Sequence, residues 1–477
     1  MTRAWGWTLA LVVASARCGG SPAVPSDAAV DTRATDSATD TATDTAPAPQ
    51  QRSVLLLILD DVGVDSVGLY ADRDGDGAPD DGRSYAPTPN LQALCRAGVQ
   101  FRQAWSAATC SPTRAQVLTG RFPFRTGVGG PTMGALGNLA LTERTIPRVL
   151  DLNPTGDYAH ANIGKWHLGA LPAAGGTSAP NRLGWSHYAG SLSGTLPSYT
   201  AWDRVTNGAS ERVTEYATTV TVNDASRWLE AQREGRPWVL WVAFNAPHAP
   251  FHLPPAGLSA ALLPGTEADI AARTPLYYRA ALEALDREMG RLLRHPRVVT
   301  DRPLVVLFGD NGTPREAVEA PYNAARAKDT LYQGGLHVPL CVTGPGVAGG
   351  RQTDALANVA DLYATVLDAT SAARSTWEAP GQPIDSVSLW PLLQDPRAPA
   401  PRAWNFAEAT LGPVVRNQGR AARDARYKLL RFNDGREELY DLSMDPRELT
   451  DLRARADTDP ALGAAYRSLV AVFDRLR

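Results

Sequence analysis

The run Val54-Leu55-Leu56-Leu57-Ile58-Leu59 is apolar without a break, and it ends on Asp60-Asp61. It is too short for a helix of ordinary length and leaves no polar face for water. Such a run reads as a strand covered on both sides, as in a parallel sheet. Similar runs at 238–244, 304–308 and 338–342 predict further strands of this kind. Helical patterns lie between them, at 91–97 and 277–293; in the second, Leu282, Leu285, Met289 and Leu292 recur at helical spacing. Strands alternating with helices predict an α/β sandwich, whose ligands gather at the carboxyl ends of the strands. The Pro-rich stretch 396–401 reads as a boundary between a main domain, 51–395, and a small C-terminal subdomain, 402–477, with a small sheet and a terminal helix.

The first fifty residues read differently. Arg3, the apolar stretch 9–14 and Ala14-Ser15-Ala16 fit a secretory signal with its small-x-small cleavage site. Cys18 follows with Gly19 and Gly20, which makes a lipid anchor at Cys18 the alternative to cleavage, although Arg17 stands where a small residue is usual. Segment 1–18 is therefore expected to be an export signal of lipoprotein type. The apolar stretch is too short to span a membrane. Residues 21–50 are Ala, Asp, Thr, Ser, Pro or Val except Arg33 and Gln50. They cannot bury enough apolar surface to order themselves, so 19–50 is expected to be a disordered tether. The expected location is the periplasm, the outer membrane of a Gram-negative bacterium, or the medium.

Charge narrows the partners. The chain has 47 basic and 50 acidic residues, a formal net charge of −3, which lacks the basic excess of a nucleic-acid binder and offers no field for an anionic membrane. Four cysteines exclude a disulfide scaffold. Cys95, on a helix pattern, and Cys341, in an apolar strand, read as buried, unbonded thiols.

Asp60-Asp61 and Asp310-Asn311-Gly312 both follow predicted strands. One Asp at a strand end is ordinarily a turn or cap residue. Three carboxylates and an amide on two strand ends form a hard oxygen site suited to Ca²⁺ or Mg²⁺. In Cys110-Ser111-Pro112-Thr113-Arg114, Pro112 fits the first turn of a helix. That puts Cys110 at the helix N-terminus, where the dipole favours anionic chemistry; the alternative is a buried structural cysteine.

This run, with Leu118-Thr119-Gly120-Arg121 behind it, resembles the maturation motif of type I sulfatases, of the alkaline phosphatase-like superfamily. Further elements match in order: Asp60-Asp61, Thr88-Pro89-Asn90-Leu91, Gly164-Lys165-Trp166-His167, Pro247-His248-Ala249-Pro250, Gly309-Asp310-Asn311-Gly312, Lys328 ahead of Tyr332-Gln333-Gly334-Gly335-Leu336-His337-Val338-Pro339, and Glu438-Leu439-Tyr440-Asp441-Leu442 with Asp445-Pro446. The resemblance implies a large mixed sheet in an α/β sandwich with a smaller C-terminal α+β subdomain. It implies hydrolysis of aryl or carbohydrate sulfate monoesters. It also implies a maturation enzyme that oxidises Cys110 to formylglycine, whose hydrate is the nucleophile. Asp60, Asp61, Asp310, Asn311 and the modified Cys110 are then expected around one divalent cation, Ca²⁺ with Mg²⁺ as alternative. His248, helped by Lys328, would protonate the leaving oxygen. His167 would take a proton from the second hydroxyl. Lys165 and Arg114 would hold the nucleophile, and Lys165 and Lys328 the sulfate.

Gln333 and His337 depart from the family's commoner Glu and Arg. The loop 72–80 has an Asp-x-Asp-x-Asp-Gly spacing like a calcium loop, but Arg83 at its twelfth position excludes a complete EF-hand. A structural Ca²⁺ clip and a solvated acidic loop both remain. His252 is a further candidate for the cleft, whereas His160, His187 and His295 read as surface or core. Two other functions share the motifs: a phosphonate or phosphate monoesterase, and an unprocessed homologue that only binds sulfated polymers.

Of the 47 basic residues only Lys165, Lys328 and Lys428 are lysines. Two fall in elements expected to hold sulfate, where a compact ammonium and a planar guanidinium are not interchangeable. Lys428 falls in the C-terminal segment, where arginine is expected to serve as well.

Overall fold

A computed structural model describes residues 51–72, 78–133, 136–153, 156–169, 175–410 and 418–476. The expected signal and tether, and residues 73–77 of the acidic loop, lie outside them. The apolar run forms β1 (Val54–Leu59), every residue of it buried. It sits near the middle of a ten-stranded sheet that also contains β2 (Val99–Trp105), β3 (Ala159–Gly164), β4 (His187–Gly190), β5 (Trp202–Thr206), β6 (Ala209–Val213), β7 (Trp238–Ala243), β8 (Leu304–Gly309), β9 (Leu340–Thr343) and β10 (Arg351–Asn358). The strand order is β10-β2-β9-β8-β1-β7-β3-β4-β5-β6. The central strands β8, β1, β7, β3 and β4 run parallel.

Strand β9 differs from its expected parallel setting. It is fully or largely buried but runs antiparallel to both β8 and β2. An apolar run reports that both faces are covered, and it is silent on direction. One core cluster includes Val54, Leu56, Ile58 and Trp241; another includes Leu55, Leu57, Leu59 and Leu240. Alternate residues of β1 thus enter different layers, as the period of a strand requires. The helix Thr274–Leu293 buries Leu282, Leu285, Met289 and Leu292 in the second layer.

Cys95 and Cys341 are joined by a disulfide, with Cα atoms 5.1 Å apart. This corrects the expectation of two separate thiols. The helix Pro89–Ala97 packs on β9, so residues 246 apart in sequence come within bonding range, and spacing along the chain could not show it.

A second, antiparallel sheet is formed by β11 (Asn405–Ala409), β12 (Gly419–Arg423), β13 (Tyr427–Phe432) and β14 (Glu437–Asp441), in that order. Leu430 and Phe432 join Trp105, Leu331 and Leu336 on one face, whereas Leu429 and Leu439 meet Leu469, Val472 and Phe473 of the helix Pro460–Arg475 on the other. Among the described residues no helix is long and apolar enough to cross a membrane.

Candidate active site

Strand register assembles the site. Leu59 of β1 pairs with Gly309 of β8, so Asp60-Asp61 and Asp310-Asn311 leave adjacent strands side by side. Gly164 of β3 pairs with Ala243 of β7, which brings Lys165-Trp166-His167 beside the turn that carries His248. Gly164 is needed there: its φ is +98°, and a Cβ would lie 1.9 Å from Ala243 O. Asp61 and His167 also have positive φ, 66° and 54°, a region that side chains disfavour and that clusters at functional sites.

Cys110 opens the wholly buried helix Cys110–Thr119. Lys165 Nζ lies 3.6 Å from its Sγ and donates a 2.6 Å hydrogen bond to Asp60 Oδ2. Arg114, from the same helix, donates to Asp310 Oδ2 through Nε at 3.1 Å and Nη2 at 2.6 Å, and through Nη1 to Lys165 O at 2.8 Å. Lys328 Nζ is 2.6 Å from Asp61 Oδ1. His248 Nε2 is 3.8 Å from Asp61 Oδ2. Its Nδ1 is 2.7 Å from Ala249 O, which assigns the ring proton to Nδ1 and turns Nε2 inward.

These groups reshape one another's titration. Burial drives the Asp60 carboxyl well above its ordinary range, against the pull of Lys165. Burial also works to raise Asp61, but His248, Lys328 and Lys165 outweigh it and hold that carboxyl down. Lys328 is raised because Asp61 and Cys110 overcome its burial. Burial, then Lys165 and Arg114, push His167 well below the ordinary range; burial likewise takes His248 to about 3 against the opposing Asp61. Burial lifts the Cys110 thiol to about 11, so as cysteine it is a poor nucleophile.

The residues fit a hard cation. Asp60, Asp61, Cys110 and His248 each place a ligand-type atom within 4.8 Å of every other. Among the described residues, Asp60 Oδ1 and Asn311 Oδ1 are buried oxygens without a hydrogen-bond partner, a costly condition that a cation relieves. Asn311 Nδ2 donates to Asp61 Oδ1 at 2.8 Å, which leaves its oxygen as the coordinating end. Asp310 is more heavily engaged: Oδ1 accepts from Asp61 N at 3.0 Å while Oδ2 takes Arg114.

All ten sequence-derived site residues thus converge at the carboxyl ends of β1, β3, β7 and β8 and the start of one helix. Sequence reasoning missed the residues that clip the two acidic loops together. Thr313 Oγ1 donates to Asp65 Oδ1 at 2.7 Å, and Tyr278 Oη donates to Asp61 O at 2.8 Å. Nothing in the periodicity separates Tyr278 from the core leucines of its helix. His252 is held among aromatic rings: it stacks on Tyr199 with centroids 4.0 Å apart, and its Nε2 is 2.9 Å from Tyr216 Oη. His160 is buried, with Nε2 2.9 Å from Asp151. Lys428 departs from expectation. It is completely buried, with Nζ 2.6 Å from Glu448 Oε1, so it is not a place where arginine serves equally.

The sulfatase family model matches residues 52–372. The chain is 26% identical over 382 residues to human N-acetylgalactosamine-6-sulfatase, covering 72% of this chain and 66% of that protein; it therefore spans just under two thirds of that relative's length. It is 27% identical over 451 residues to human arylsulfatase A, covering 83% of this chain and 82% of that one. Among solved structures, the crystal structure of Ps i-CgsB shares the fold with a TM-score of 0.70 at 23% identity, covering 88% of this chain and 92% of that one.

Proposed function

Because the chain belongs to the sulfatase family, we propose that it hydrolyses sulfate monoesters of aryl or carbohydrate alcohols, with formylglycine made from Cys110 as its nucleophile. The convergence of Cys110, two lysines, an arginine, two histidines and a hard oxygen cluster at the carboxyl ends of neighbouring strands carries this reading. The names of its relatives support the substrate class. Cys110 is 2% exposed, so its maturation enzyme would meet the chain before folding.

An aldehyde at this position supplies, once hydrated, one hydroxyl that can take up sulfate and a second whose deprotonation lets sulfate leave. A divalent cation, Ca²⁺ or Mg²⁺, held by Asp60, Asp61, Asn311 and Asp310, supplies positive charge that lowers the pKa of a neighbouring hydroxyl. The remaining work falls to the chain's own side chains. Lys165, fixed on Asp60 and beside Cys110, orients the nucleophile and faces the sulfate oxygens. Lys328 stands on Asp61, its ammonium 2.6 Å from Oδ1, and adds a second positive charge toward the sulfate. The neutral His167 imidazole is a base ready to accept a proton. A sulfate monoester brings negative charge against His248 and raises its pKa. Its Nε2, on a side chain partly open to solvent, then takes up a proton from water and delivers it to the leaving oxygen, with the Lys328 ammonium alongside.

Export to an oxidising compartment, by signal cleavage or by a lipid anchor at Cys18, belongs to this proposal; the Cys95–Cys341 disulfide supports it.

The test is peptide mass spectrometry at Cys110 together with turnover of paired aryl sulfate and aryl phosphonate substrates. The expected result is an aldehyde or its hydrate at Cys110, preference for the sulfate, and loss of turnover in Cys110→Ala with its melting curve unchanged. Elemental analysis should find about one equivalent of Ca²⁺ or Mg²⁺. Unmodified cysteine in turning-over enzyme would refute the nucleophile, and preference for the phosphonate would refute the substrate class.

A further inference from the structure

One short stretch of chain touches both histidines. After β4 it reads Ser191-Leu192-Ser193-Gly194-Thr195-Leu196-Pro197-Ser198-Tyr199. Its start continues the parallel pairing beyond the strands: Trp166 N–H donates to Ser191 O at 2.9 Å and His167 N–H to Leu192 O at 3.2 Å. Gly194 then lies against the imidazole. A Cβ at this position would stand 2.2 Å from His167 Cε1 and 2.3 Å from Nε2, far inside the ~3.5 Å of a carbon contact. Among the described residues, His167 Nδ1 is buried without a hydrogen-bond partner, so no hydrogen bond at that nitrogen sets the ring. Glycine at 194 leaves the slot that the ring fills.

Tyr199 closes the other end. Its hydroxyl lies 2.6 Å from Asn245 O and 2.8 Å from His248 O. His248 N–H donates to Asn245 O at 3.0 Å, so one hydroxyl ties both carbonyls of the turn that presents His248. The Tyr199 ring is 3% exposed and stacks on His252, which Tyr216 anchors in turn. Neither Gly194 nor Tyr199 carries a group that takes part in the proposed proton transfers; each touches the histidine-bearing segments instead.

We propose that 191–199 is a brace that sets both histidines at once, with Gly194 the positioning residue for His167 and Tyr199 that for His248. This rests on the roles assigned to the two histidines above. Proton transfer by a placed side chain contributes about 10²–10⁴-fold, and displacement of ~1 Å can cost on the order of 10²-fold.

Gly194→Ala is therefore expected to lower kcat on the order of 10²-fold, and Tyr199→Phe about 10-fold. KM should move little, whereas the melting temperature should fall, because Gly194→Ala crowds a buried ring and Tyr199→Phe leaves two carbonyls without their donor. Double-mutant cycles identify the route: Gly194→Ala should cost nothing further in a His167→Ala background, nor Tyr199→Phe in a His248→Ala background. Additive losses in both cycles overturn the brace, as does a change confined to KM. If the wild type turns over no sulfate ester, sulfatase function fails by itself, and the brace is read from imidazole ¹⁵N shifts instead. Gly194→Ala should move the His167 signals and Tyr199→Phe those of His248; unmoved signals overturn it. Tyr199→Phe keeps its ring stack and stands as the test should Gly194→Ala not fold.

Discussion

Lys165 and Lys428 have the same first description. Each is 0% exposed, and each places its ammonium 2.6 Å from a carboxylate oxygen. Their surroundings separate them. Lys428 lies 5.0 Å from the Trp105 ring and pairs with Glu448, with Glu438 and the like-charged Arg423 acting on it from farther off; the other Glu448 oxygen accepts the Gln333 N–H at 2.5 Å. Lys165 sits in a lattice in which Asp60, Asp61 and Asp310 alternate with Lys165, Lys328 and Arg114. That lattice opens through Lys328 and His248, each 13% exposed. Burial lowers the Lys428 pKa to about 8 despite Glu448, while Lys328 ends up raised. Burial and pairing therefore do not distinguish a structural ion pair from a working one. The density of opposing charge and an opening to solvent do. All three lysines place their ammonium 2.6 Å from a carboxylate oxygen, but only Lys165 and Lys428 do so in a closed slot.

The sharpest way to break the comparison is to remove one charge from the isolated pair. Lys428→Met leaves Glu448 buried without its partner, which should cost about 3–5 kcal/mol. Lys428→Met combined with Glu448→Gln should recover most of this, since the amide oxygen can still accept the Gln333 N–H. Chemical denaturation measures both. kcat/KM per folded molecule should stay within a few-fold of wild type, and a large loss would place Lys428 in the working class.

The converse change keeps charge and alters shape. Lys165→Arg and Lys328→Arg are each expected to lower kcat/KM on the order of 10²-fold, because a planar guanidinium cannot occupy the ammonium's place between Asp60 and Cys110 or beside Asp61. Their melting temperatures should change less than that of Lys428→Met. Turnover at the wild-type level would remove both lysines from the sulfate-binding set.

How far each region could be read from sequence follows from the same physics. The candidate site was legible because its groups stand in short motifs at the ends of apolar runs: Asp60-Asp61 after β1, Gly164-Lys165-Trp166-His167 after β3, Asp310-Asn311 after β8. The alternation of strands and helices announced the main sheet. Contacts that depend on two distant segments were not legible. Cys95 meets Cys341, Lys428 meets Glu448 and Tyr278 meets Asp61 only after the sheet has formed, and neither period nor composition marks any of them. The antiparallel course of β9 escaped for a related reason, since burial on both faces is the same whichever way a strand runs. Gly194 shows the limit most plainly. A glycine in a polar loop is ordinarily read as a turn, and only the imidazole lying against it gives that glycine a purpose.

The last expected effect concerns pH, and it tests the Lys428–Glu448 pair without disturbing the site. Lys428 has a folded pKa of about 8, below its ordinary 10.5. Between these values the unfolded chain holds a proton that the folded chain has released. Stability from this group therefore rises with pH across that window, with a slope of up to about 1.4 kcal/mol per pH unit. Below about pH 8 both states carry the proton, and the burial cost is present in full. Replacing both partners, Lys428→Met with Glu448→Gln, removes the titration and leaves every other alkaline group in place. Denaturant unfolding of wild type and double variant from pH 7.5 to 10 should thus give curves whose separation changes in favour of the wild type as pH rises. Parallel curves would mean that Glu448 alone compensates the burial of Lys428. The pair would then resemble the lattice around Lys165 in its electrostatics, leaving only the opening to solvent to separate the two.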